Sequence, residues 1–308
     1  MKLPLFILTL GVFAWSALPA FSQRLFTKDG KELPWADCVI QGSNVAWKTK
    51  DALGKDRIIN ILGTDIVRID YPEPVELQDA AAAATRGDGD TALTKADVVL
   101  KQFEGFKLTA GSWWVSAALV KLEALGIKKD EAGFDKLNAE LKAMTLGPSD
   151  QLRLRAAQGA QEYYKGAPGP AKQIVEEIIP KTDDAAVLAK LYLLLGDIEY
   201  KRQSFADARE AYLHVPVFYG SQGLLLPNAE LGAARSLVKL QRLEDASEML
   251  SGIVDRYPGT PQAKAADEER KQLLKALGET EQSMAEKQGN ADAKEKPEGE
   301  TPAEEEKK

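Results

Sequence analysis

Small residues recur in pairs, twelve positions apart, along the second half of the chain. Gly159 is followed by Ala171, Gly196 by Ala208 and Ala234 by Ala246, and the leading members stand 37 and 38 residues apart. Four positions after each second small residue comes a large one, at Val175, Tyr212 and Leu250, and seven after it an apolar one, at Ile178, Val215 and Ile253. A lone helix needs no such spacing. Two antiparallel helices whose axes come within about 8–10 Å do need it, because little side-chain volume fits at the crossing. A unit that recurs at this interval must then bury its remaining apolar face against its neighbour, which is what the large residues do.

The same helical period extends through most of the chain. From residue 76 to 277 alanine is common and nearly every segment reads as an amphipathic helix, broken by turns such as "LGPSD" and "KGAPGP". Residues 37–70 read differently. Four short runs rich in β-branched residues, at Cys38–Gln41, 45–49, 57–62 and 66–69, are separated by "GSN", "DALGKD" and "GTD", which predicts a small antiparallel β unit. "YPEP" at 71–74 stops its last strand. A unit this small is near the lower limit for independent stability, so it is expected to dock on the helical region or on a partner.

The two ends are distinct. "MKLPLFILTLGVFAWSALPAFSQ" carries a basic residue, an apolar run and then Ala20 and Ser22, the pattern of a signal peptide cleaved before Gln23. An uncleaved anchor is the alternative, although the apolar run is shorter than the ~20 residues a spanning helix prefers. Residues 278–308 lack aromatics and β-branched aliphatics and are half charged, so a disordered tail is expected. The division predicted is a signal peptide at 1–22, a β domain at 23–75, a helical region at 76–277 and the tail.

The repeat resembles that of the tetratricopeptide family. The segment from Pro227 to Pro258 matches with Ala234, Leu237, Leu243, Ala246, Leu250 and Ile253. The segment from Ala189 to Gly220 matches with Tyr192, Leu195, Gly196, Phe205, Ala208 and Tyr212. A weaker unit starts at Leu152. A further one starts near Gly111, with Trp114, Ala118, Phe134 and Leu137 in register and Asp130 where a small residue belongs. The resemblance implies a mainly α fold: a solenoid of three to five antiparallel helix pairs, preceded here by the small antiparallel β unit. "DRYPGTPQAKAAD" is also similar to exported repeat proteins of bacterial cell envelopes, namely the Tol-Pal-associated division coordinator and the outer-membrane assembly lipoproteins, which act by binding other proteins. The lipidated cysteine of the latter is missing here.

By that resemblance the residues facing the concave side are Arg153, Tyr163, Tyr164, Lys190, Asp197, Tyr200, Lys201, Asn228, Arg235 and Lys239. Tyrosine and arginine are enriched at binding hot spots, and the mixture suits a peptide with acidic groups. The role implied is an exported scaffold, periplasmic or secreted, that binds another envelope or secreted protein. A structural subunit pairing through the edge of its β unit is the alternative, and an enzyme stands third.

Chemistry-bearing residues are sparse. The formal net charge is -7, and most of the excess lies in the tail, which disfavours nucleic acid as a partner. One cysteine, Cys38, excludes an intramolecular disulfide and a multi-cysteine metal site. One histidine, His214, has no HExxH arrangement and no G-x-S-x-G elbow to work with, so it is expected to be structural. "RGDGD" at 86–90 reads as helix-start turn chemistry rather than a calcium loop. Of the tandem tryptophans at 113 and 114, which cannot share a helix face, one is expected in the core and the other against the β unit or partly exposed. No catalytic residue, metal or cofactor is expected.

Overall fold

A computed structural model describes the backbone of residues 23–294 and the side chains of 23–278. The signal-peptide segment lies outside the described residues. The fold is mainly helical with a small antiparallel β unit at its N-terminal end. Among the described residues no helix is long and apolar enough to cross a membrane.

Each of the four runs forms a strand: β3 (Cys38–Gln41), β4 (Asn44–Lys50), β5 (Asp56–Leu62) and β6 (Ile66–Asp70). Two short strands precede them, β1 (Arg24–Thr27) and β2 (Glu32–Pro34), too brief to show a period in the sequence. The strands make two sheets rather than one, β2-β1-β6 and β3-β4-β5. A 3-10 turn at Gly63–Asp65 redirects the chain, so that β6 leaves β5 and pairs with β1.

The β unit docks on the neighbouring helical segments. Trp35 stacks edge-on against Tyr71, with ring centroids 4.8 Å apart, and lies 5.5 Å from the buried Phe103. The Ile69 amide donates to the Ala110 carbonyl at 2.8 Å. The tandem tryptophans divide as expected: Trp114 is buried in the core, while Trp113 donates its indole N–H to the Tyr71 carbonyl at 3.0 Å. Aromatic burial of this kind contributes the area that a small sheet lacks on its own.

The helices are α1 (Val75–Thr85), α2 (Gly89–Gln102), α3 (Trp114–Ile127), α4 (Glu131–Lys142), α5 (Pro148–Tyr164) and α6 (Pro168–Ile178). They continue with α7 (Ala185–Lys201), α8 (Phe205–Phe218), α9 (Leu226–Lys239), α10 (Leu243–Arg256) and α11 (Pro261–Lys294). Five connections share one geometry: those of α1–α2, α3–α4, α5–α6, α7–α8 and α9–α10. A left-handed residue ends the first helix, at Gly87, Lys129, Gly166, Gln203 and Gln241 respectively. The next amide then reaches back five residues: Asp88 to Ala83, Asp130 to Leu125, Ala167 to Glu162, Ser204 to Glu199 and Arg242 to Leu237, all at 2.9–3.0 Å. This is the Schellman closure, which satisfies two orphan carbonyls and reverses the chain in two residues. Three of the five use a non-glycine residue in a conformation that costs about 1–2 kcal/mol.

These turns correct the register of the unit near Gly111. Asp130 is no counterpart of the small residues on the second helices; it caps α4, accepting from the Gly133 amide at 2.9 Å. Four residues after the cap stand Ala92, Phe134, Ala171, Ala208 and Ala246, so Phe134 is the true counterpart. Ala234 and Ala246 share one buried cluster, whereas the two glycines of the series each make room for a large side chain. A Cβ on Gly159 would first meet Ile174, and one on Gly196 would first meet Tyr212.

The chain forms two compact units, dividing between Leu154 and Arg155. The first holds both sheets and α1–α4; the second holds most of α5 and α6–α11. The strand-to-helix change at residue 75 therefore falls inside the first unit. At the other end, the change of composition after Gly278 does not stop α11, whose backbone runs on to Lys294. Residues 279–294 are dominated by Glu, Gln, Ala and Lys, which are good helix formers. The remainder of the expected tail lies outside the described residues.

Candidate protein-binding face

In the second unit, α8 sends a large ring between two helices. Tyr212 lies between Gly196 of α7 and Gly232 of α9, and a Cβ on either glycine would stand 2.5–2.6 Å from its ring atoms. Such contacts forbid any larger residue without displacement of the ring. Gly196 is followed by Asp197, so the turn of α7 that makes room for the ring also presents a carboxylate to its hydroxyl. The Tyr212 hydroxyl donates to Asp197 Oδ1 at 2.7 Å.

Charge and burial converge on this point. Burial pushes the Asp197 carboxyl up to about 6, against the opposing effects of the Tyr212 hydrogen bond and the Arg235 charge. Tyr212 is itself pushed strongly upward, by burial first and then by Asp197. Tyr163 rises to about 12, again by burial and by the Asp197 charge. Arg235 is held further into its charged form by Glu269 of α11, which it grips with both Nε (3.0 Å) and Nη2 (2.6 Å).

Around this centre the aromatic and cationic residues gather. Lys201 Nζ lies 5.1 Å from the Tyr163 ring centroid, a cation–π distance. Tyr163 meets Tyr164 edge-on at 5.7 Å, and Tyr200 meets Phe205 at 5.3 Å. Asn228 accepts from Gln262 Nε2 at 2.7 Å. Lys190 is partly exposed on α7, and Lys239 is exposed one turn beyond Arg235 on α9. Nine of the ten expected groove residues thus belong to the second unit, on α5, α7 and α9, and each is at least partly exposed. Arg153 belongs to the first unit, where it donates to Asp150 at 3.3 Å and Ser116 at 3.5 Å.

Three participants are not evident from the sequence: Tyr212, whose spacing points to packing alone, and Gln262 and Glu269 on α11. A signal for the last two does exist. Both pairs, Asn228 with Gln262 and Arg235 with Glu269, are 34 residues apart, a spacing close to the 37 and 38 residues between the earlier units, carried one helix further.

The remaining candidates have local roles. His214 donates Nδ1–H to the Glu210 carbonyl at 3.0 Å, and its ring stacks on Tyr192 with centroids 4.3 Å apart. Cys38 lies half-buried in β3, where burial raises its thiol to about 11, far from a reactive thiolate. Asp88 caps α2 by accepting from the Thr91 amide at 3.1 Å, and Asp90 pairs with Lys128. Among the described residues no group of three or more His, Cys, Asp or Glu is placed to hold a metal ion.

Comparison of the chain with protein-family models, with curated proteins and with solved structures finds no match.

Proposed function

We propose that the chain is an exported, non-enzymatic scaffold of the tetratricopeptide type, and that the α5, α7, α9 and α11 face of its second unit binds an acidic segment of another envelope protein. The observation that carries this reading is the chain of contacts across alternate helices. Lys201 reaches Tyr163, Asp197 feels Arg235, and Arg235 grips Glu269, all on residues that are at least partly exposed. Repeat packing supports it, since equivalent positions on successive first helices fall in a row.

The chemistry defines the ligand. Glu269 already shows the geometry in which Arg235 takes a carboxylate, and a partner's Asp or Glu would compete for it. Lys201 and Lys239 add charge on either side, and Tyr163 and Tyr200 offer apolar rings with polar tips.

The test is affinity capture from envelope extract with the intact protein and with a Tyr200→Ala/Arg235→Glu/Lys239→Glu variant whose circular dichroism matches. A partner held by the first should be lost by the second, with binding that weakens as salt rises. Equal capture by both would sink the reading.

A further inference from the structure

The sheet β3-β4-β5 has a free edge at β5, and the sequence of that edge is nearly its own mirror. Two bonds fix which groups of β5 face outward. Asp51 N–H donates to Lys55 O at 2.9 Å, and Gly63 N–H donates to Ser43 O at 2.7 Å. With the register Thr49↔Arg57, Trp47↔Ile59 and Val45↔Ile61 between them, the hydrogen-bonded pairs of β4 and β5 fall at the odd positions of β5. Asp56, Ile58, Asn60 and Leu62 therefore turn their N–H and C=O groups away from β4. Among the described residues no backbone group pairs with them. Their side chains are exposed as well, Ile58 at 64% and Leu62 at 57%. An uncovered edge of this length and apolarity is the kind that natural sheets either cover or disrupt with charge.

We infer that β5 pairs antiparallel with β5 of a second copy of this chain, about a two-fold axis at Asn60. The strand reads Ile58-Ile59-Asn60-Ile61-Leu62. Turned about Asn60 it sets Ile58 opposite Leu62 of the second copy, Ile59 opposite Ile61, and Asn60 opposite its own equivalent. Every outward-turned residue then meets an outward-turned residue, each such pair exchanging both N–H···O bonds. The charged residues Asp56 and Arg57 fall just beyond the matched core. Shifting the axis to Ile59 instead sets Ile58 against Asn60 and Arg57 against Ile61, an apolar-to-polar mismatch at each step. The contact is isologous and closes on itself, as two-fold interfaces do.

The test combines mass and register. The purified protein should sediment as a dimer, and Ile58→Lys/Leu62→Lys should halve that mass without changing the circular dichroism. In a Cys38→Ser background, Asn60→Cys sits on the axis. Its two Cα atoms would be about 5.5 Å apart, within disulfide range. Mild oxidation should convert it to a covalent dimer, while Ile58→Cys, whose counterpart is Leu62, should stay uncrosslinked. A monomeric mass at the highest soluble concentration would overturn the inference, as would a dimer that survives the lysines or crosslinking of Ile58→Cys as efficient as that of Asn60→Cys.

Discussion

Two successive layers of the second unit solve the same packing problem with different residues. In one, Tyr212 of α8 fills the space between Gly196 and Gly232. In the next, Leu250 of α10 packs in a cluster with Ala234 of α9, Ala246 of its own helix and Ala266 of α11. Large-between-glycines is exchanged for medium-between-alanines, so total volume is kept while its distribution changes. The difference matters chemically. Leu250 ends in methyl groups, whereas Tyr212 ends in a hydroxyl that reaches through the layer to Asp197 on the candidate face. One layer only packs; the other ties the core to the surface that a ligand would meet.

The sharpest way to break the comparison is to empty both layers. Tyr212→Ala should lose about 3–5 kcal/mol, as removal of a buried aromatic does, and Leu250→Ala about 2–5 kcal/mol. Urea unfolding measures both, and near-native stability in Tyr212→Ala would mean that the ring does not fill its slot.

Overfilling comes next in size. Gly232→Ala should lose about 1–3 kcal/mol, because the new methyl meets the Tyr212 ring. The triple change Gly196→Ala/Tyr212→Leu/Gly232→Ala copies the neighbouring layer, conserves volume and should stay within about 1.5 kcal/mol of the native chain. If the triple variant is no better than Gly232→Ala, the two layers are not equivalent.

The smallest effect concerns pH. A carboxyl raised to about 6 in the folded chain, above its ordinary 3.8, favours folding while protonated and loses that advantage as pH rises through 6. Stability relative to Asp197→Asn should therefore fall between pH 4 and pH 6, by on the order of 1 kcal/mol, since the residue as a whole is only partly buried. Thermal unfolding of both proteins across that range decides it, and a flat difference would remove the coupling between Asp197 and its buried surroundings.

Much of the candidate face is legible in the sequence, because a repeat turns spacing into location. Tyr163, Asp197, Tyr200, Lys201 and Arg235 come from the positions that the tetratricopeptide resemblance assigns to the concave side; of these, Lys201 lies beside Tyr163 and the Arg235 charge acts on Asp197. The count ends one helix short of α11, so it does not reach Glu269, the partner of Arg235. Tyr212 reads as large and buried, but nothing in a linear sequence tells that its hydroxyl clears the layer.

The sequence by itself determined the element types: strand runs at 38–41, 45–49, 57–62 and 66–69, then helices punctuated by turn residues. Those arise from periodicity and turn chemistry, which act within a few residues. The tertiary structure alone decided that the strands divide into two sheets and that Asp130 is a cap rather than a packing residue. It also decided that Gly196 makes room for the Tyr212 ring, and that compactness divides the chain at Leu154 rather than at the change from strand to helix. Each of these depends on which distant surfaces bury one another, and burial is settled by volume and contact across the fold, not by neighbours along the chain.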